Sequence, residues 1–157
     1  MIEIERKFLV TSDAFKKDAK HKSHIIQGFL NTDPERTVRV RIVDNEGVLT
    51  VKGLSTEDGL KRFEWEKVIS KTEAKALLDF CEYSVIDKVR YEVDYEGHTF
   101  EIDEFYGDNA GLVIAEIELN HEDEVFEKPF WLGKEVTGNV KYYNSQISQN
   151  PFKTWKK

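Results

Sequence analysis

In segment after segment of this chain apolar and charged side chains alternate, as in Arg36-Thr37-Val38-Arg39-Val40-Arg41-Ile42-Val43 and Arg62-Phe63-Glu64-Trp65-Glu66. Successive side chains of a strand point to opposite faces, so a period of two marks β-strands rather than helices. Turn-forming groups recur between these segments: Asn31-Thr32-Asp33-Pro34, Asp44-Asn45-Glu46-Gly47, Thr56-Glu57-Asp58-Gly59, Tyr95-Glu96-Gly97 and Gly107-Asp108-Asn109. Together they predict strands over 1–10, 24–31, 36–43, 48–53, 61–69, 85–95, 98–105 and 112–120. The connections are short, which implies hairpins and an antiparallel sheet.

One stretch breaks the alternation. In residues 72–81, Ala74, Leu77, Leu78 and Cys81 fall on one helical face, with Ser70 or Thr72 placed to cap its start. Weaker signals suggest a helix or loop over 11–20, a helical turn over 121–127 and a terminal helix from Thr137 to Ser148. The fold class is therefore α+β, dominated by antiparallel strands.

At 157 residues the chain is expected to form a single domain, 1–157, with 137–149 as a C-terminal helix. Cys81 is the sole cysteine, so no internal disulfide forms, and a reducing compartment fits. The sequence has neither a leader pattern nor an apolar run near the roughly 18 residues a membrane helix needs, so a cytoplasmic protein is expected. A net charge of −7 argues against a general nucleic-acid binder, which carries a basic face.

Parity decides which residues meet. Glu3, Glu5 and Lys7 share one face of their strand, against Ile2, Ile4 and Phe8. Likewise Arg39 and Arg41 oppose Val38, Val40 and Ile42, and Arg62, Glu64 and Glu66 oppose Phe63 and Trp65. Lys88 and Arg90 oppose Val89, Tyr91 and Val93; Glu101 and Asp103 oppose Phe100 and Ile102; Glu116 and Glu118 oppose Ala115, Ile117 and Leu119. Lys52 stands alone in Thr50-Val51-Lys52-Gly53.

Alternation usually means one core face and one solvated face. Here, however, the charged face is built of like-sign pairs within strands, which cost up to roughly 1 kcal/mol each when close together. Bound partners explain that sorting better: divalent cations for the carboxylates and a polyanion for the cations. If about eight strands close into a barrel, one parity set lines the lumen. The apolar set then faces outward under the helices, and the charged set lines a wet tunnel.

Mg²⁺ and Mn²⁺ take hard oxygen ligands, often a few carboxylates with waters and phosphate oxygens. Arg and Lys suit phosphate. The reaction that joins these is phosphoryl transfer to water. The sequence has no glycine-rich phosphate loop, so side chains must hold the phosphates. His21, His24, His98 and His121 lack metal-ligand spacing, and Cys81, Trp65, Trp131 and Trp155 read as packing. Arg6, Lys61 and Lys67 have outward parity or lie at a strand end.

In order and spacing these residues resemble the CYTH superfamily, the triphosphate tunnel metalloenzymes. The carriers are Glu3-x-Glu5-x-Lys7, Gln27-Gly28-Phe29-Leu30, Val38-Arg39-Val40-Arg41, Thr50-Val51-Lys52-Gly53, Arg62-x-Glu64-x-Glu66, Lys88-Val89-Arg90-Tyr91, Glu101-x-Asp103 and Glu116-x-Glu118. The resemblance covers roughly residues 1–147, and the segment from Val136 to Ser145 resembles a C-terminal helix that plugs one tunnel mouth in small bacterial members. It implies an eight-stranded antiparallel β-barrel, the triphosphate tunnel, with flanking helices. It also implies one or two Mg²⁺ or Mn²⁺ ions held by Glu3, Glu5 and Glu118. Glu64, Glu66, Asp103 and Glu116 would hold a second metal or the water, and Lys7, Arg39, Arg41, Lys52, Arg62, Lys88 and Arg90 would bind the triphosphate.

The family holds inorganic, thiamine and RNA triphosphatases and class IV adenylate cyclases. The cyclase branch usually carries residues ahead of its ExExK, including a His-Phe, whereas this sequence starts at Met1-Ile2-Glu3. The compact form most resembles small bacterial inorganic triphosphatases. The expectation is metal-dependent hydrolysis of tripolyphosphate, with nucleoside triphosphates as possible further substrates. A cyclase making cyclic AMP and a non-catalytic polyphosphate- or nucleotide-binding module are the alternatives. The partner is a triphosphate-containing small molecule, not nucleic acid or a membrane, and a homodimer is plausible because outward apolar faces need cover.

Overall fold

The computed structural model describes residues 1–155; the last two residues of the expected 1–157 domain lie outside the described residues. Nine strands form: β1 (Ile2–Val10), β2 (His21–Asn31), β3 (Arg36–Val43), β4 (Glu46–Gly53), β5 (Lys61–Ile69), β6 (Glu82–Tyr95), β7 (His98–Phe105), β8 (Val113–Leu119) and β9 (Leu132–Glu135). Their order is β5-β4-β3-β2-β6-β7-β8-β1-β9, all neighbours antiparallel. β1 also pairs with β5, through Ile2↔Phe63, Glu3↔Arg62 and Ile4↔Lys61, and this closes eight strands into a barrel.

The seam between β1 and β5 is short. Beyond it the edge of β1 would be open, an arrangement proteins cover. The same edge is taken up by Leu60, whose carbonyl accepts from Glu5 N, and then by the chain after β9: Val136 N donates to the Lys7 carbonyl and Lys7 N to Thr137 Oγ1. β9, which the alternation did not reveal, completes that patch by pairing Phe8 with Glu135 and Val10 with Leu132.

Helix α1 (Lys71–Leu78) starts in a full capping box, Ser70 Oγ accepting from Glu73 N while Glu73 reaches back to Ser70 N. It lies across β2, β3 and β4, where Ala74 packs with Val40 and Ile42. Gly47 permits this contact, since a Cβ there would stand 2.7 Å from the Ser70 carbonyl oxygen and 2.8 Å from Ala74 Cβ. The helix ends before Cys81, which is half-buried against Gly28 rather than on the helix itself.

Three expectations need correction. The outward apolar face of β1, β6, β7 and β8 is covered less by helices than by irregular chain: Phe15 from a 3-10 turn at Ala14–Asp18, and Phe126 and Trp131 from the connection before β9. The segment 137–149 is not one helix. It forms a 3-10 turn, Val140–Tyr142, and then one turn of helix α2 (Asn144–Ile147), because it crosses the barrel end instead of lying along a face. Nor is the lumen charged throughout. Phe29, Ile86, Phe105 and Ile114 have the parity of the charged set, and with Leu112 and the fully buried Ile147 they fill one end of the barrel.

Candidate active site

The charged side chains of seven strands, β1 and β3 to β8, meet in one cavity of about 230 Å³, to which β2 adds Phe29. Of the residues predicted from sequence, Glu3, Glu5, Lys7, Arg39, Arg41, Lys52, Arg62, Glu64, Glu66, Lys88, Arg90, Glu116 and Glu118 all line it. Asp103 does not. Parity turns its side chain inward on β7, but its carboxylate lies beneath the wall, 2.9 Å from Lys88 Nζ and 2.8 Å from Arg90 Nε. Its oxygens are engaged by these cations, so its geometry is that of a positioning residue for Lys88 and Arg90, not of a metal or water holder.

That buried triad sets its own charge state. Burial alone would raise the Asp103 carboxyl, yet Arg90 and Lys88 hold it down to about 2. Lys88 is almost wholly enclosed, and its ammonium falls to about 8 because burial outweighs the pull of Asp103. Burial also works against the Arg90 charge, but here Asp103 and Glu101 win and the guanidinium is held more firmly protonated.

Across the cavity, Arg39 and Arg41 of β3 face Glu66 of β5. Arg41 Nη2 lies 3.1 Å from Glu66 Oε2, and Arg39 Nη2 lies 3.2 Å from Thr50 Oγ1, which itself donates to Glu66 at 3.0 Å. Burial, with Arg39 and Arg90 nearby, pushes Arg41 down to about 9. The Nε–H groups of both arginines are buried without an acceptor. A buried unpaired donor costs about 1–3 kcal/mol, more for a charged group, and an anion in the cavity would remove that cost.

The third wall is acidic. Lys52 Nζ lies 3.0 Å from Glu3 and 3.3 Å from Glu64, although the second contact lacks hydrogen-bond alignment and leaves Glu64 Oε2 a buried unsatisfied acceptor. Burial and then the hydrogen bond with Glu64 push Glu3 up to about 7. Glu5 is raised well above the usual carboxylate range by burial and by Glu116. Glu116 is held low, since Lys7, Glu5, Arg90 and Lys88 together overcome its burial. Burial and Glu3 raise Glu118, and burial raises Glu101 against the opposing pull of Arg90.

Burial first, and then neighbouring carboxyls, raise Glu3 and Glu5, and a hard divalent cation would relieve both effects, so this donor set fits Mg²⁺ or Mn²⁺. Among the described residues no three His, Cys, Asp or Glu side chains already converge as a cage. Glu3, Glu5 and Glu118, the ligands that the resemblance implied, are therefore not gathered into a ready-made site.

The remaining walls were less legible. Glu101 shares the parity of Asp103, and the structure places it, rather than Asp103, on the cavity lining. Arg62 is held by the Gly53 carbonyl and by Thr37 Oγ1 at 2.8 Å. Tyr143 and Asn144 also line the cavity; their segment was flagged only by its resemblance to a tunnel plug, without singling out these two side chains. None of the four histidines is among the lining residues; His24 pairs with Asp87 and His98 with Glu124. As their parity suggested, Arg6 and Lys61 pair outside the tunnel, with Glu135 and Glu122.

A closed antiparallel barrel with a lumen of sorted cations and carboxylates defines a tunnel protein of the kind the sequence resembled. The chain belongs to the CYTH domain family, whose pattern matches residues 1–149. It is 50% identical over 155 residues to the inorganic triphosphatase of Acetivibrio thermocellus, covering 98% of this chain and 97% of that protein. The inorganic triphosphatase of Nitrosomonas europaea is 34% identical over 151 residues, covering 94% and 97% respectively. A crystal structure of an inorganic triphosphatase superposes with a TM-score of 0.66 at 33% identity, covering 93% of each chain.

Proposed function

We propose that the protein hydrolyses inorganic tripolyphosphate to pyrophosphate and phosphate in this cavity, with Mg²⁺ or Mn²⁺ as cofactor and nucleoside triphosphates as slower substrates. The observation that carries the reading is the pair of buried, acceptorless Nε–H groups on Arg39 and Arg41, facing a carboxylate cluster across one cavity. The naming of two full-length relatives as inorganic triphosphatases supports the same substrate class.

Arg39, Arg41, Lys52, Lys88, Arg90 and Lys7 grip the phosphate oxygens, Arg62 backs them from the wall, and Asp103 fixes Lys88 and Arg90 in place. Glu3, Glu5 and Glu118 would hold the divalent cation, with Glu116 beside them. The cation, when bound, neutralises phosphate charge and lowers the pKa of bound water. Glu64, with an acceptor oxygen left over, orients the attacking water, and Glu66 sets the arginines opposite. Positioning and charge stabilisation carry most of such a reaction.

Phosphate release from tripolyphosphate and ATP under Mg²⁺ and Mn²⁺ tests this reading; release from neither sinks it, and cyclic AMP formed from ATP would replace it with a cyclase. Cys81 without a disulfide partner supports a reducing, cytoplasmic setting, and the acidic net charge supports a small-molecule rather than a nucleic-acid partner. No helix among the described residues is long and apolar enough to cross a membrane. Ile2 and Phe63, paired at the seam and exposed outward, support a homodimer, which sedimentation would check.

A further inference from the structure

The segment after β9 closes one end of the tunnel, as the resemblance implied, and we propose that within it Tyr143 and Asn144 set the length of phosphate chain the cavity accepts, with a free terminal phosphate seated against them. This rests on the triphosphatase reading above.

The cavity has two unlike ends. At one, Glu66 and Glu101 keep more than a third of their side-chain surface open and Glu118 is exposed, which marks a mouth. At the other, Lys88 and Lys7 are 1% and 9% exposed. Here the chain after β9 crosses the lumen. Lys7 Nζ donates to the Tyr142 carbonyl at 3.3 Å and lies 5.1 Å from the centre of the Tyr143 ring, while the Arg62 guanidinium stands 5.9 Å from that ring on another side. One residue on, Asn144 Oδ1 accepts from Gln27 Nε2 at 2.7 Å and from Lys88 Nζ at 3.0 Å. Tyr143 thus spans the β1–β5 side of the floor and Asn144 the β2–β6 side.

Two observations make this a fixed floor. The segment is pinned against the β4–β5 loop so closely that a Cβ on Gly59 would overlap Gly138, with both glycines at positive φ. Beneath Asn144, Ile147 is sealed among Phe29, Ile86, Phe105 and Ile114, an apolar layer no phosphate would enter. An anion entering at the mouth therefore stops at Lys7, Lys88 and Tyr143. A terminal phosphate carries more charge and more free oxygens than an internal one, so it is the end this cationic floor favours. The cavity is small, about 230 Å³ against the roughly 300–1,000 Å³ typical of drug-sized ligand sites, and the crossing segment closes its inner end.

Shortening Tyr143 should deepen the cavity without removing a cation. For Tyr143→Ala and Tyr143→Leu, the ratio of kcat/KM on linear tetrapolyphosphate to that on tripolyphosphate is expected to rise by about ten-fold or more over wild type. Tyr143→Phe, which keeps the ring, should hold the ratio near the wild-type value. An unchanged or lowered ratio in a cooperatively melting Ala or Leu variant overturns the proposal. A second measurement needs no variant: a dinucleoside triphosphate, both of whose ends are blocked, should neither be cleaved nor compete with tripolyphosphate. Competition at comparable concentration would overturn the requirement for a free end. If wild type released no phosphate from tripolyphosphate, the hydrolase reading would fail, while the same ratio taken from calorimetric dissociation constants would still decide the floor.

Discussion

Asp103 and Glu5 are both inward-facing carboxylates of the tunnel, Asp103 buried on β7 and Glu5 half-buried on β1, yet their charge states diverge. Asp103 is held down to about 2 by Arg90 and Lys88. Glu5 is raised well above the ordinary range, by its enclosure first and then by Glu116 and Glu3. On the β6–β7 wall Asp103 is already paired with both Lys88 and Arg90, which holds these cations in place before any ligand arrives. On the β1–β8 wall Lys7 helps hold Glu116 low, while Glu5 beside it stays raised, and an incoming cation would settle it. The contrast separates structural charge from charge that is waiting for a ligand.

The strongest way to break that contrast is Asp103→Ala. It strands Lys88 and Arg90 without their shared acceptor, and loss of one partner of a buried ion pair costs about 3–5 kcal/mol. A large fall in Tm is expected; an unchanged Tm with lost turnover would mean that Asp103 acts on substrate instead. Arg41→Ala should act the other way round, leaving Tm close to wild type while lowering kcat/KM on tripolyphosphate by ten-fold to about a hundred-fold. That range follows from the roughly 1.5–3 kcal/mol of a hydrogen bond to a charged group.

The acidic wall should show itself in the pH dependence of metal-free protein. Glu3 has its carboxyl raised from 4.5 to about 7 in the fold, so its contribution to stability is complete below pH 4.5 and is lost as pH rises through 7. Asp103, depressed from 3.8 to about 2, has the opposite sign: its contribution is present above pH 3.8 and is lost only as pH falls through 2. Melting curves without metal should therefore show Tm falling between pH 5 and 8, less so in Glu3→Gln, with Mn²⁺ or Mg²⁺ restoring much of the loss. A flat profile would remove the idea of an unsettled wall. The smallest effect is a control on the barrel exterior. Arg6 and Glu135 make a two-point pair at 2.7 and 2.9 Å near the surface, and Glu135→Gln should cost less than about 1 kcal/mol.

How far these features could be read in advance follows from their physics. The eight barrel strands, their antiparallel hairpins and the capped helix α1 were visible because alternation, turn residues and capping are local signals. Parity brought Glu3, Glu5, Arg39, Arg41 and the rest to one lumen without any coordinates. It could not tell Asp103 from Glu101, since both point inward and only their depth along β7 decides which lies under Arg90 and which faces the cavity. It was equally blind to β9 and to Tyr143, which are placed by the gap beside β1 that the short β1–β5 seam leaves.

The sequence alone determined which side chains share a face, because backbone geometry fixes that residue by residue. Only the tertiary structure decided how deep each charge lies, whom it meets and where the lumen ends. Those depend on strand stagger, seam length and a crossing C-terminal segment, all set by contacts between residues far apart in the chain. The charged lumen was therefore legible as a list of residues and its plugging segment only through a family resemblance, while the residues that make the floor, the mouth and the paired wall were not.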